Sequence, residues 1–120
     1  MFSLLSRGGS AVQNLPAAEA ISRVADGSLT LVDIRDPMER RMTGTARGAV
    51  TIPLAVFRMK ADPRSPERDP ALDVDRPVAL YCASGARSQM AASMLLEMGY
   101  REVYNLGGLG HWTPAGGALA

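Results

Sequence analysis

A short apolar strand that ends on the chain's single cysteine is the sequence feature that most restricts the fold. Residues 78–81 are uncharged and β-rich, and Cys82 follows them directly. Residues 88–98 carry apolar positions at helical spacing and stop at Gly99, so a helix begins within a few residues of the cysteine. A buried strand joined to a helix by so short a loop is typical of α/β proteins that have a mostly parallel sheet with helices on both faces.

Strand and helix patterns alternate along the rest of the chain, without an internal repeat. The predicted helices cover residues 17–24, 37–42, 54–61 and 88–98, and the predicted strands cover residues 29–34, 49–52, 78–81 and 102–106. Four prolines between residues 60 and 77 predict a loop, and Gly107 with Gly108 predicts a turn. The pattern fits one domain over residues 11–120, preceded by a flexible tail at residues 1–10.

The charge balance and the cysteine count argue against several classes of function. The 13 basic and 12 acidic side chains leave a net charge of +1, which gives no general attraction to nucleic acid or to an anionic membrane. One cysteine cannot form an intrachain disulfide, and it supplies too few thiolates for a zinc site. No apolar run approaches the roughly 20 residues that a membrane span needs, and residues 1–10 make a poor signal peptide. We therefore expect a cytoplasmic protein without a metal or a cofactor.

The loop after Cys82 has the composition of an anion-binding cradle. Its residues are small, so its backbone N–H groups can turn inward, and the following helix N-terminus adds a partial positive charge. A sulfur atom there is favoured as the thiolate, and Arg87 adds a permanent cation. A lone cysteine is often a buried, unreactive residue of a strand, but the glycine and the arginine at this spacing favour a reactive thiol. We predict that Cys82 and Arg87 are catalytic and that Ser88 caps the helix. The predicted substrate-binding residues are Ala83, Ser84, Gly85, Ala86 and Ser88.

These residues resemble the active-site loop of the rhodanese homology domain, which has the pattern Cys-x-x-Gly-x-Arg followed by Ser or Thr. Three further segments, in the family's order, resemble its Asp-x-Arg and Glu segment, its Gly-Ala-x-x-Ile-Pro segment and its C-terminal Gly-Gly and Trp segment. The matching positions are Asp33, Arg35, Glu39, Gly44, Gly48, Ala49, Ile52, Pro53, Leu95, Gly99, Tyr100, Val103, Leu106, Gly107, Gly108 and Trp112. The chain departs from the pattern at Thr45 and Ala46, where the family usually has His-Ile, and we expect a small loss of packing there.

The resemblance implies a three-layer rhodanese-like fold with a five-stranded, mostly parallel sheet, and hence a further short strand near residues 11–13. It also implies a sulfurtransferase that moves sulfane sulfur through a Cys82 persulfide. The implied partners are a small anionic donor, either thiosulfate or a persulfide, and a thiol, cyanide or an acceptor protein, with neither nucleic acid nor membrane. Asp33 and Arg35 are expected to support the neighbouring loops by hydrogen bonds and charge pairing. Arg87 either orients the donor or braces the loop from outside.

Three alternatives to this function start from the same residues. A cysteine phosphatase or arsenate reductase also combines a thiolate, a cradle and an arginine, but that class typically has five residues between Cys and Arg, and here four intervene. A persulfide carrier or regulatory binding module without turnover would also keep Cys82. A Cys–His dyad would have to use His111, the single histidine, which nothing in the sequence places near the cysteine.

Two further residue types invite a role. Glu39 invites a general acid–base role alongside Asp33 and Arg35. Trp112 is expected to pack the C-terminal segment onto the core.

Overall fold

The computed structural model describes residues 11–120, and the tail predicted at residues 1–10 lies outside this part. The strands are β1 (Gln13–Asn14), β2 (Thr30–Asp33), β3 (Val50–Thr51), β4 (Val78–Cys82) and β5 (Val103–Gly108). The helices are α1 (Ala17–Ala25), α2 (Pro37–Thr43), α3 (Phe57–Ala61) and α4 (Ala86–Glu97), with 3-10 turns at Leu54–Val56 and Leu109–His111. Residues 62–77 contain neither helix nor strand, as their prolines predict. Within residues 11–120, no helix is both long and apolar enough to span a bilayer.

The strands form one parallel sheet in the order β1-β5-β4-β2-β3. β4 lies at the centre, and each of its residues is buried, which explains its run of uncharged side chains. The predicted five-stranded α/β fold is confirmed, and β1 is the short first strand that the resemblance implies. Because the strands are parallel, their carboxyl ends share one edge of the sheet, where the segments that follow β2 and β4 meet.

Helices cover both faces of the sheet, and successive side chains of β4 point to opposite faces. Cys82 belongs to the core on the side of α4, where Leu95 is also buried. Tyr81 belongs to the core on the other side, together with Trp112. The predicted packing of Trp112 onto the core is confirmed, and its Nε1 donates to the Ala118 carbonyl oxygen at 2.7 Å. The alternation of the strand therefore fixes the cysteine on the α4 side of the sheet.

Two predicted boundaries beside the cysteine loop are wrong. The helix begins at Ala86, and its N-cap is Gly85 rather than Ser88. Gly85 has φ +103°, a conformation that side chains rarely adopt, so the chain can reverse there and start the helix early. Gly107 and Gly108 do not form a turn but are the last two residues of β5. Their lack of side chains serves close packing of the strand against the loop.

Candidate active site

Cys82 ends β4 at the carboxyl edge of the sheet, and the following loop folds over its sulfur. The Gly85 N–H donates to Cys82 Sγ at 3.0 Å, and the Ser88 N–H does so at 3.4 Å. The Ser88 hydroxyl oxygen also lies 3.4 Å from this sulfur. Cys82 is 0 % exposed, so its sulfur lies inside a cradle of the kind that the loop composition predicts.

The covering turn is short and is supported from below by the end of β5. Ala83 and Ser84 are exposed on its outer side, and Ala86 is the exposed first residue of α4. A Cβ atom on Gly108 would stand 2.3 Å from the Ala83 carbonyl oxygen, closer than real Cβ atoms approach. Only glycine therefore allows β5 to run directly beneath the loop, and the strand holds the loop over the sulfur.

The cradle favours the ionised form of Cys82. Burial opposes ionisation, but the hydrogen bonds that the thiolate can accept from the Ser88 hydroxyl and from the backbone N–H groups of Ser88, Gly85 and Ser84 outweigh it. Together they hold the pKa of the thiol below its ordinary value. The site can therefore supply a thiolate nucleophile, and the same donors can stabilise a negatively charged sulfur species.

Arg87 points to α2 and not to the cysteine sulfur. Its two terminal nitrogens donate to Glu39 Oε1 and Oε2, each at 2.7 Å, in a two-pronged ion pair. Glu39 is fixed by a capping box, because the Asp36 side chain accepts from the Glu39 N–H and Glu39 accepts from the Asp36 N–H. The hydrogen bonds from Arg87 lower the pKa of Glu39 to about 2. Of the two roles considered for Arg87, this geometry matches bracing of the loop from outside.

Asp33 and Arg35 form a buried network that ties β2 to its neighbours. Arg35 Nη2 lies 2.9 Å from Asp33 Oδ2, and Tyr81 OH donates to the same oxygen at 2.7 Å. Arg35 also donates to the Thr43 hydroxyl at 2.7 Å and to the Gly44 carbonyl oxygen at 2.6 Å. These contacts join the end of β2 to the C-terminal end of α2 and the residue after it.

The segment that departs from the family pattern is held by the same network. Ala46 is buried, and its N–H donates to Tyr81 OH at 2.9 Å. The phenol thus accepts from one segment and donates to Asp33 of another. Burial raises the pKa of Tyr81 above its ordinary value, so the hydroxyl keeps its proton and its donor role. Tyr81 was not singled out from the sequence, since a tyrosine in an apolar strand has no distinctive local signal.

Asn105 is the second residue beside the cysteine loop that sequence reasoning missed. It lies on β5, and its side chain bonds to Gly85 and Ser88 of the loop. It also lines an open depression of about 580 Å³ against the outer side of the loop, together with Ser84 and His111. The one available signal was a polar residue in an otherwise apolar strand, next to the strand that carries the cysteine.

His111 does not form a dyad with the cysteine. Its Nδ1 lies 3.2 Å from the Leu106 carbonyl oxygen, whereas the hydrogen bonds to Cys82 Sγ come from Gly85 and Ser88. Among residues 11–120, no three His, Cys, Asp or Glu side chains are grouped so that they could hold a metal ion. The groups that contact the cysteine sulfur are thus backbone N–H groups and one hydroxyl.

Fold and site together define an α/β protein of the kind that holds a thiolate in a backbone cradle between a central strand and a helix. The profile of the Rhodanese-like domain family matches residues 16–115 of the chain. This match spans most of the chain and includes the cysteine loop. The chain therefore belongs to the rhodanese-like sulfurtransferase family, as its sequence resemblance implies.

Relatives of the chain carry different names. A sulfurtransferase of Allochromatium vinosum is 35% identical over 107 residues, which is 88% of this chain and 92% of that protein. A tRNA uridine(34) hydroxylase of Nitrobacter hamburgensis is 39% identical over 85 residues, and the match spans 71% of this chain but only 32% of the hydroxylase. A solved structure from Rhodopseudomonas palustris, described as a protein of unknown function and possible tyrosine phosphatase, has a TM-score of 0.80 at 34% identity. The match covers 97% of this chain and 90% of the Rhodopseudomonas palustris chain.

Proposed function

We propose that the protein transfers sulfane sulfur through a persulfide on Cys82. The observation that carries the proposal is the pair of N–H donors, from Gly85 and Ser88, on the cysteine sulfur. These donors stabilise the thiolate and the negatively charged persulfide by hydrogen bonds. Arg87 contributes by holding the loop to Glu39 rather than by contacting the reacting sulfur.

The proposed reaction has two displacement steps. The Cys82 thiolate attacks the outer sulfur of the donor, a bond forms between the two sulfurs, and the bond from that outer sulfur to the rest of the donor breaks. The electron pair of the broken bond leaves with the donor as a thiolate or as sulfite. An acceptor thiolate or cyanide then attacks the outer sulfur of the persulfide, and the Cys82 thiolate is regenerated. Neither step needs an external oxidant or a proton on the attacking sulfur.

A monoanionic persulfide is the donor class that the site suits better. Thiosulfate is a dianion, but the loop side chains between Cys82 and Arg87 are neutral. The charge of Arg87 is balanced by Glu39 in the two-pronged ion pair. Hydrogen bonds without a compensating cation bind one negative charge more readily than two. We therefore propose that persulfide donors react faster than thiosulfate, with a thiol or an acceptor protein receiving the sulfur. A thiol that must cycle between free and sulfurated forms also fits a reducing, cytoplasmic compartment.

Intact-mass analysis of the reduced protein tests the proposal directly. The protein is incubated in parallel with thiosulfate and with a glutathione persulfide donor, and Cys82→Ser serves as the control. We expect the mass of one added sulfur on the native sequence only, with removal by cyanide and formation of thiocyanate. A sulfurated protein that releases nothing to cyanide or thiols would favour a carrier without turnover. No added sulfur with either donor would refute the function.

Phosphatase activity is the alternative that the Rhodopseudomonas palustris relative raises. Four residues separate Cys82 from Arg87, and the guanidinium is engaged by Glu39 instead of facing the cradle. We therefore expect no hydrolysis of an aryl phosphate above that of Cys82→Ser. Hydrolysis by the native sequence alone would support the alternative.

A further inference from the structure

Asn105 makes four hydrogen bonds that join β5 to the cysteine loop. Its Nδ2 donates to the Gly85 carbonyl oxygen at 3.1 Å and to Gln89 Oε1 at 3.0 Å. Its Oδ1 accepts from the Ser88 hydroxyl at 2.7 Å and from the Gly107 N–H at 2.9 Å. The carbonyl can only accept and the N–H can only donate, so these two partners fix which way the amide points.

The Ser88 hydroxyl has one proton and three acceptors within reach. Asn105 Oδ1 is the nearest at 2.7 Å, the Gly85 carbonyl oxygen is at 3.2 Å, and Cys82 Sγ is at 3.4 Å. While the proton is directed to Asn105, the hydroxyl oxygen can only accept from the cysteine S–H, which favours the neutral thiol. To stabilise the thiolate, the hydroxyl must rotate and donate to the sulfur instead.

We propose that Asn105 is a positioning residue that competes with the Cys82 sulfur for the Ser88 proton and so sets the share of the cysteine present as thiolate. The proposal rests on the proposed function only in that Cys82 is the nucleophile. Rotation of the hydroxyl costs a single short hydrogen bond, because Asn105 Oδ1 keeps the Gly107 N–H. The Gly85 carbonyl oxygen likewise keeps Asn105 Nδ2. The loop thus holds its shape while the hydroxyl changes partner.

Two substitutions at this position have opposite expected effects on ionisation. Asn105→Ala removes the nearest acceptor, so the Ser88 proton is shared between the Gly85 carbonyl oxygen and the sulfur, and a negatively charged sulfur is the stronger acceptor of the two. We expect the ionisation constant of the Cys82 thiol to rise about three- to tenfold, since one hydrogen bond of about 0.7–1.4 kcal/mol is gained by the thiolate. Asn105→Asp keeps an acceptor for the hydroxyl proton and makes it negatively charged, although its second oxygen cannot donate to the Gly85 carbonyl oxygen or to Gln89 Oε1. The hydroxyl proton is bound more strongly, and we expect the ionisation constant to fall. A loop that is merely loosened would shift both variants in the same direction.

The titration can be followed at one atom, because the chain has one cysteine. Protein labelled with ¹³Cβ cysteine gives a single resonance whose chemical shift reports the thiol and the thiolate across pH. The Asn105→Ala effect is then measured again in a Ser88→Ala background, where we expect it to disappear. Asn14→Ala is the matched control, since Asn14 is the exposed register partner of Asn105 on β1, and it should leave the titration unchanged.

Each outcome of this experiment is decisive. Opposite shifts for the two variants, with the Asn105→Ala effect lost in the Ser88→Ala background, support the proposal. Shifts of the same sign, no shift, or an undiminished effect without the Ser88 hydroxyl would overturn it. Far-UV circular dichroism and urea denaturation of each variant guard against misfolding. Because ionisation is measured without any sulfur donor, failure here is distinct from failure of sulfur transfer.

Discussion

Replacing Glu39 by glutamine isolates the ion pair that fastens the cysteine loop to α2. Glutamine keeps the shape and can keep the capping box with Asp36, so the change removes mainly the charge opposite Arg87. The pKa of Glu39 falls from 4.5 to about 2 in the folded protein, chiefly through the Arg87 hydrogen bonds. Without screening, this fall would correspond to about 3 kcal/mol. The two side chains are 30% and 35% exposed, so we expect a loss of about 1 kcal/mol in the free energy of unfolding at pH 7.

The pH dependence of this loss has a definite sign. The lowered pKa of Glu39 means that the ion pair stabilises the fold fully above about pH 4.5, the value for the unfolded chain. The stabilisation decreases as the pH falls toward about 2, where the folded protein also protonates the carboxylate. The native sequence and Glu39→Gln should therefore differ most at neutral pH, and the difference should shrink below pH 4.5.

Urea denaturation followed by circular dichroism at pH 7 and at pH 3 measures both effects. In thermal unfolding at pH 7, a loss of about 1 kcal/mol corresponds to a decrease of about 4 °C in Tm. Glu19→Gln is the control, because Glu19 is the exposed partner of Arg23 in a looser surface pair at 3.7 Å. It should cost less than about 0.5 kcal/mol at either pH. An equal loss for Glu39→Gln at both pH values, or none at pH 7, would refute the assignment of this ion pair as the brace of the loop.

Three further changes probe the cradle and its supports. Gly108→Ala would place a Cβ atom against the Ala83 carbonyl oxygen at 2.3 Å, so we expect about 1–3 kcal/mol of destabilisation. Below donor saturation, intact-mass kinetics should show slower sulfuration, because the displaced loop no longer holds its N–H donors on the sulfur; native rates there would contradict the close packing. Tyr81→Phe removes the hydroxyl that donates to buried Asp33. Chemical denaturation should show a decrease of about 1–3 kcal/mol in the free energy of unfolding, and an unchanged value would mean that the hydroxyl is dispensable. The rate of persulfide formation should rise with pH and level off below the pH at which an ordinary thiol ionises, because the pKa of Cys82 is lowered; a midpoint at or above about 8.5 would disprove this.

What the sequence predicts well here is what is local along the chain. Cys82, the small residues after it and the helix that follows lie within a single short segment, and their chemistry could be inferred from that segment alone. The start of the helix was misplaced because Ser88 is a favoured N-cap, while the left-handed conformation at Gly85 depends on the fold. The two glycines at the end of β5 suggested a turn, since close approach to the loop has no signature in the sequence.

Contacts between distant segments account for the rest. The ion pair between Arg87 and Glu39 joins residues 48 apart, and the family resemblance marked both positions without showing that they meet. Asn105 lies on a strand that is adjacent to β4 only because the sheet places β5 there. Its hydrogen bonds to the loop depend on that order, so a polar residue in this strand could mark the position but could not reveal its partners. The sheet topology is thus the information that the sequence pattern lacks.

The complete burial of Cys82 limits how fast the site can be reached. A sulfur with no exposed surface meets a donor only after the covering turn of residues 83–85 moves aside, and such local openings have their own rate. We therefore expect the rate of sulfuration to saturate at high donor concentration, where opening limits it, so that differences between donors and the dependence on pH are measured below saturation. Selectivity among donors and acceptors then depends on two steps: the opening of the covering turn, which is common to all of them, and the reaction at the cradle, where their charge matters.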